Sequence, residues 1–114
     1  MATRLEFAPH FEEESKGLGA TPDQLRAGRR LAELFAESDP LVNAKEITVT
    51  AQNPKFRSWL RLKSERMSVR VVVERVVDAN TGDETIVVHA TLPRWSETYD
   101  EVKDLWKKYR NRLI

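Results

Sequence analysis

The stretch Phe56-Arg57-Ser58-Trp59-Leu60-Arg61-Leu62-Lys63 decides how this chain is read. Its residues fall into two alternating sets: Phe56, Ser58, Leu60 and Leu62 on one side, Arg57, Trp59, Arg61 and Lys63 on the other. Strict alternation of this kind is the period of a half-buried β-strand. Two further runs follow. Met67 to Val77 is rich in valine, and Glu84 to Thr91 contains Ile86-Val87-Val88. β-Branched side chains favour a pleated surface. Between these runs lies Asp78-Ala79-Asn80-Thr81-Gly82-Asp83, where Asn and Gly tolerate the positive φ that a hairpin needs. The sequence therefore predicts three antiparallel strands joined by two tight hairpins.

Matching the apolar sides of these runs predicts a register. Leu60 faces Val71 and Leu62 faces Val69, closing the first hairpin around Glu65-Arg66. Val73 faces Val88 and Val71 faces Ala90 across the second. A slip of one residue would turn the apolar set outward. The core face then holds Leu60, Leu62, Val69, Val71, Val73, Ile86, Val88 and Ala90. The opposite face carries Arg57, Trp59, Arg61, Lys63, Arg70, Val72, Glu74, Val87, His89 and Thr91. Arg61 sits opposite Arg70, and His89 opposite Val72. Like charges across a ladder repel. Either an anion belongs between the two guanidinium groups, or both point to water with Glu74 or Glu65 to offset them.

The flanking segments complete an α+β domain. Arg4-Leu5-Glu6-Phe7 reads as a short first strand, and Phe11 to Glu14 opens a short helix that Gly17 and Gly19 interrupt. Thr21-Pro22-Asp23-Gln24 is a helix start, with Thr21 as cap, Pro22 in the first turn and Gln24 completing a capping box. Leu25, Gly28, Leu31, Ala32 and Phe35 follow at helical spacing, up to Ser38-Asp39-Pro40. Ile47 to Thr50 reads as another strand. After Pro93, the residues Trp95, Tyr99, Val102, Leu105, Trp106, Tyr109 and Leu113 recur three or four apart, predicting an amphipathic helix from about Ser96 to about Arg112. Its apolar stripe suits either the sheet or a partner. The expected architecture is a single domain over 1–114. It has an antiparallel four- to five-stranded sheet, an N-terminal helical hairpin and a C-terminal amphipathic helix.

Composition narrows the classes. With 114 residues, 40% hydrophobic and 32% charged, the chain fits one soluble globular domain. No apolar run approaches the length of a membrane span, and the N-terminus has no secretory signal pattern. The absence of cysteine excludes disulfides, zinc–thiolate sites and a thiol nucleophile, and is compatible with a cytoplasmic protein. Net charge is only +1, but residues 41–72 carry 7 basic and 2 acidic groups whereas residues 1–40 carry 5 and 8. Positive charge is thus concentrated on the first two main strands, where a local field attracts phosphate.

No Gly-rich phosphate loop, metal-spaced histidine cluster or serine nucleophile elbow is present, so no metal or cofactor is expected. The two histidines, His10 and His89, are far apart in sequence, and a lone histidine is more often structural. What remains is a set of cations, Arg57, Arg61, Lys63 and Arg70, with His89 near them and Trp59 as a stacking surface. Arg94 follows the last strand, and Tyr99 lies one turn into the final helix. Cations neutralise phosphate and an aromatic ring stacks an unpaired base. Cleavage of RNA by its own 2′-hydroxyl needs a base, an acid and positive charge at the phosphorane, and no metal.

Several stretches resemble the RelE/ParE toxin superfamily, its RelE ribonuclease branch in particular. Arg4-Leu5-Glu6-Phe7 to Leu31-Ala32-Glu33-Leu34-Phe35 is similar to the opening strand and helical hairpin. Leu60-Arg61-Leu62-Lys63 with Ser68-Val69-Arg70-Val71-Val72 resembles the basic strand pair, and Arg94-Trp95-Ser96-Glu97-Thr98-Tyr99 the segment after the last strand. The resemblance implies a RelE-like fold and a metal-independent endoribonuclease, the toxin of a toxin–antitoxin pair. Such a protein cuts mRNA in the ribosomal A site and is neutralised by a small antitoxin. It implies Arg61 and Lys63 as the basic pair, Arg70 at the scissile phosphate with Arg94 assisting, Tyr99 stacking or assisting proton transfer, and His89 as general acid or base. A non-catalytic binding protein of the same fold, for a protein or nucleic acid, and an unrelated small phage or immunity domain are the other readings.

Overall fold

The computed structural model describes residues 3–37, 48–51, 59–64, 66–93 and 98–109. In chain order the elements are β1 (Thr3–Phe7), α1 (Phe11–Gly17), α2 (Pro22–Ala36), β2 (Thr48–Ala51), β3 (Trp59–Ser64), β4 (Val69–Val77), β5 (Glu84–Pro93) and α3 (Thr98–Tyr109). The fold is α+β, and the five strands form one sheet in the order β1-β5-β4-β3-β2. Among the described residues no helix is long and apolar enough to cross a membrane.

The sheet is mixed, which corrects the expectation of an all-antiparallel one. β1 runs parallel to β5, with Leu5 beside Ile86 and Phe7 beside Val88. The cause lies in the docking of α1. That helix starts soon after β1 and packs on the far half of β5, where Ser15 Oγ accepts the Thr91 N–H at 2.9 Å and donates to the Phe11 carbonyl at 2.6 Å. The chain must therefore leave β1 toward the C-terminal end of β5, and so β1 points the same way.

Local chemistry sets the helix and turn boundaries. Thr21 Oγ1 accepts the Gln24 N–H while Gln24 Oε1 accepts the Thr21 N–H, the reciprocal capping box that the sequence predicts. In the β4–β5 hairpin the Asp78 carboxylate accepts the N–H groups of Asn80 and Thr81, which hold its pKa below the ordinary value. Gly82 then takes φ 75°, a left-handed conformation that suits glycine.

The β3–β4 register differs from the predicted one by two residues. Leu60 pairs with Val73 and Leu62 with Val71. The hairpin closes on Ser64, whose carbonyl accepts the Ser68 N–H and whose hydroxyl accepts the Met67 N–H, with Ser68 at φ 56°. An even slip keeps every side chain on its face, but it places Lys63 opposite Arg70 and Arg61 opposite Val72, rather than Arg61 opposite Arg70. In the β4–β5 pair Val73 does face Val88. Beyond it a bulge intervenes, so that Val72 pairs with Ala90 and Val71 with Thr91. His89 is the extra residue of the bulge. Ala90 thus moves off the predicted core face and Thr91 moves onto it.

Two apolar clusters result, one on each side of the sheet. The first joins Leu25, Leu31 and Ala32 of α2 and Phe11 of α1 to Leu60, Leu62, Val71, Val73 and Val88. The second joins Leu105 and Tyr109 of α3 to Trp59, Val72, Ala90 and Leu92. The apolar stripe of the final helix therefore packs on the sheet. It covers much of the face on which the sequence had placed cations.

Candidate functional site

The face under α3 has two ends. At the β3–β4 hairpin end stand Lys63 and Arg70, directly opposite one another, with Arg61 two residues along the same side of β3. All three are half-buried, and the Nε atoms of Arg61 and Arg70 are out of contact with solvent. These residues come together as the alternation predicts, because an even register slip preserves the face.

At the other end stands a polar chain inside an aromatic box. His89 is fully buried. Its Nε2 lies 3.0 Å from Glu74 Oε1 and its Nδ1 lies 2.9 Å from His10 Nε2. A carboxylate only accepts, so the His89 Nε2–H donates to Glu74; that leaves His89 Nδ1 as an acceptor, and the His10 Nε2–H donates to it. The Trp59 ring stacks on His89 at a centroid distance of 4.1 Å, and Tyr109 stacks on His10 at 3.4 Å. The bulge permits this arrangement. It turns both His89 and Ala90 toward the side of Val72, and bulges commonly re-aim a side chain in this way.

The outer wall of the box is an anchor between α1 and α3. Glu14 Oε1 accepts the Tyr109 hydroxyl at 2.6 Å and the Lys108 ammonium at 3.0 Å. Burial acts to raise the Glu14 pKa. The Tyr109 and Lys108 hydrogen bonds and the positive charges of Lys108 and His10 outweigh it and leave the carboxyl below its ordinary value of 4.5. Beside this anchor opens a groove of about 410 Å³ lined by Glu14, Leu18, Asp104, Leu105, Lys107 and Lys108.

A depressed carboxyl contributes stability that is present above its unfolded pKa and lost as pH falls through its folded one. Glu14→Gln is therefore expected to melt at a lower temperature than the parent chain at pH 7, with the gap closing as pH drops well below 4.5. Paired thermal melts across that range check it; a gap that stays constant with pH would remove the charge from the account.

The residues implied by the family resemblance divide into three groups. Arg61, Lys63 and Arg70 share one face. Trp59 lies on that face but is only 2% exposed, so its ring stacks on His89 rather than standing open as a platform. His89, read as a general acid or base, has both ring nitrogens engaged inside the protein. Arg57 and Arg94 lie outside the described residues, as does the side chain of Tyr99, whose backbone belongs to the first turn of α3.

His10, Glu14, Glu74 and Tyr109 complete the polar box, and none of them stands out as a site residue in the sequence. His10 follows β1, and only the parallel β1–β5 pairing carries it to His89; no local pattern encodes that meeting. Tyr109 is visible as a member of the apolar stripe, without an indication of what it covers. Comparison with protein-family models, with curated proteins and with solved structures gave no match.

Proposed function

We propose that this chain is an RNA-binding domain of RelE-like kind that grips the ribose-phosphate backbone with Arg61, Lys63 and Arg70 and does not cut it. The observation that carries the reading is the convergence of three cations on one face, with Lys63 directly across the ladder from Arg70. Two cationic side chains side by side on one face present a single focus of positive charge to a phosphate. Guanidinium and ammonium groups together supply both bidentate and point-charge contacts to phosphate oxygens.

The sharper reading is a metal-independent ribonuclease toxin that acts on mRNA at the ribosome and is held by a small antitoxin. It needs an acid and a base at the scissile phosphate. Enclosure of His89 between Trp59 and His10 withdraws that imidazole from an RNA strand, and this favours the non-cutting form.

The test is fluorescence anisotropy with a labelled single-stranded RNA in chelator-containing buffer, run beside a gel for cleavage products. Three phosphate contacts on a single strand give a salt slope near −2, so affinity should fall about twentyfold between roughly 50 and 200 mM salt. Arg70→Ala and Arg61→Ala should each weaken binding by about tenfold, the scale of one charged hydrogen bond. Intact RNA is expected on the gel. Fragments with 2′,3′-cyclic phosphate ends that vanish in Arg70→Ala would replace this reading with the nuclease. Absence of salt-sensitive binding would end both.

A further inference from the structure

We propose that α3 is a proton-controlled latch, clamped over the Trp59–His89 side of the sheet by a histidine pair that holds one extra proton and not two. This proposal does not depend on what the cationic end of the face binds.

The two rings offer four nitrogens to protons. The His89 Nε2···Glu74 contact requires a proton on Nε2. The His10 Nε2···His89 Nδ1 contact, at 2.9 Å, requires one proton between the two rings and excludes a second. The fourth nitrogen, His10 Nδ1, takes one more. The closed arrangement therefore carries at most three protons on the two rings, which is one above neutral. A fourth would set two N–H groups against each other at 2.9 Å, and the inter-ring contact would have to open. When the rings are separated and solvated each takes its own proton, and the pair holds all four.

Opening that contact disturbs α3 because His10 has little room to move. Its ring lies on Tyr109 at a centroid distance of 3.4 Å and nearly parallel to it, and the Tyr109 hydroxyl is tied to Glu14. Tyr109 is buried, and with Leu105 it forms the α3 half of the second core. Displacement of His10 therefore pushes on the residue that seats the helix. Among the described residues, the charged and titratable groups around the pair are Glu14 from α1, Glu74 from β4, and Lys108 and Tyr109 from α3. The two carboxylates favour the first added proton, which accords with a closed state carrying one extra charge. Neither carboxylate relieves the steric exclusion of the fourth proton. Lifting α3 would bare Trp59 and the bulge beside Arg61, which makes the latch a gate on that face.

Linkage gives the size of the effect. Two solvated imidazoles hold on average one extra proton at the ordinary histidine pKa near 6.5, as many as the closed pair, and nearly two about a unit lower. The opening equilibrium is therefore flat near pH 6.5, and its slope approaches tenfold per pH unit only below about pH 5.5. In the window from pH 6.5 to about 5 Glu14, with its lowered pKa, stays ionised. The experiment is amide hydrogen exchange on the full chain, corrected for intrinsic exchange rates and followed residue by residue by NMR. In the parent chain, α3 amides should lose protection about tenfold in all across this window, most of it below about pH 6, while those of β4 facing α2 stay constant. In His10→Gln the side-chain amide can turn either its NH₂ or its carbonyl toward His89 Nδ1. The exclusion then disappears, and the α3 slope should flatten. A flat α3 slope in the parent chain overturns the proposal even if His10→Gln fails to fold, and an unchanged slope in a folded His10→Gln overturns it as well.

Discussion

Gly28→Ala is expected to destabilise the domain by about 2 kcal/mol or more, although alanine is the better helix former by about 1 kcal/mol. Gly28 lies within α2 where that helix crosses β5. A methyl group there would run into Thr91 Oγ1 and meet its Cγ2 at 2.6 Å and its Cβ at 2.8 Å. All three atoms belong to one fully buried, β-branched side chain, so no flexible end can swing aside. Overpacking of this kind costs about 1–3 kcal/mol after relaxation, and the contact with Cβ places this site at the upper end. The helix would have to lift off the sheet and open the first core. Urea denaturation of the two proteins measures the change.

The same geometry supplies its own control. Among the described residues Thr91 Oγ1 has no hydrogen-bond partner, so Thr91→Ala removes two of the three obstructing atoms, leaving Cβ, without breaking a bond of the hydroxyl. Gly28→Ala combined with Thr91→Ala should be more stable than Gly28→Ala alone, with a coupling of about 1–2 kcal/mol in a double-mutant cycle. A cycle that closes with no coupling would mean that the glycine is needed for something other than close approach.

This contact also shows where a sequence stops being informative. Gly28 is recognisable as part of the apolar stripe of α2, because the stripe is a local periodicity. That its partner is Thr91 is not recognisable, since simple alternation puts Thr91 on the opposite face. The bulge at His89 changes the phase of β5, and nothing in Ile86-Val87-Val88-His89-Ala90 marks it. It accompanies contacts with Glu74, Trp59 and His10, which are distant in the chain. By contrast, the Thr21–Gln24 capping box and the Asp78–Asp83 turn are settled by side chains a few residues from the backbone groups they satisfy, and both are legible. The parallel direction of β1 is hidden for the same reason as the bulge, because it depends on where α1 docks. Arg61, Lys63 and Arg70 keep their common face for a simple reason: the β3–β4 slip is even. The cationic end of the candidate site is therefore readable, whereas the histidine end is assembled by two long-range events.

Trp59→Ala separates the two meanings that this residue can carry. As a solvent-facing platform it would be nearly neutral to stability, within about 0.5 kcal/mol, and its loss would weaken RNA stacking by about 1–3 kcal/mol per base. The structure instead places it at 2% exposure, in the second core with Leu105 and Tyr109 and stacked on His89. Truncation of such an aromatic should cost about 3–5 kcal/mol, and Trp59→Phe should recover much of that, since a ring remains on the imidazole. The loss should also be uneven. The first core, from Leu31 through Leu62 to Val88, does not include Trp59. Hydrogen exchange in Trp59→Ala should therefore accelerate in α3 at a concentration of denaturant where α2 is still protected. In Leu62→Ala, a truncation in the first core, both helices should lose protection together. If Trp59→Ala keeps its stability and its α3 protection while losing RNA affinity, the ring is a platform after all and the final helix does not rest on it.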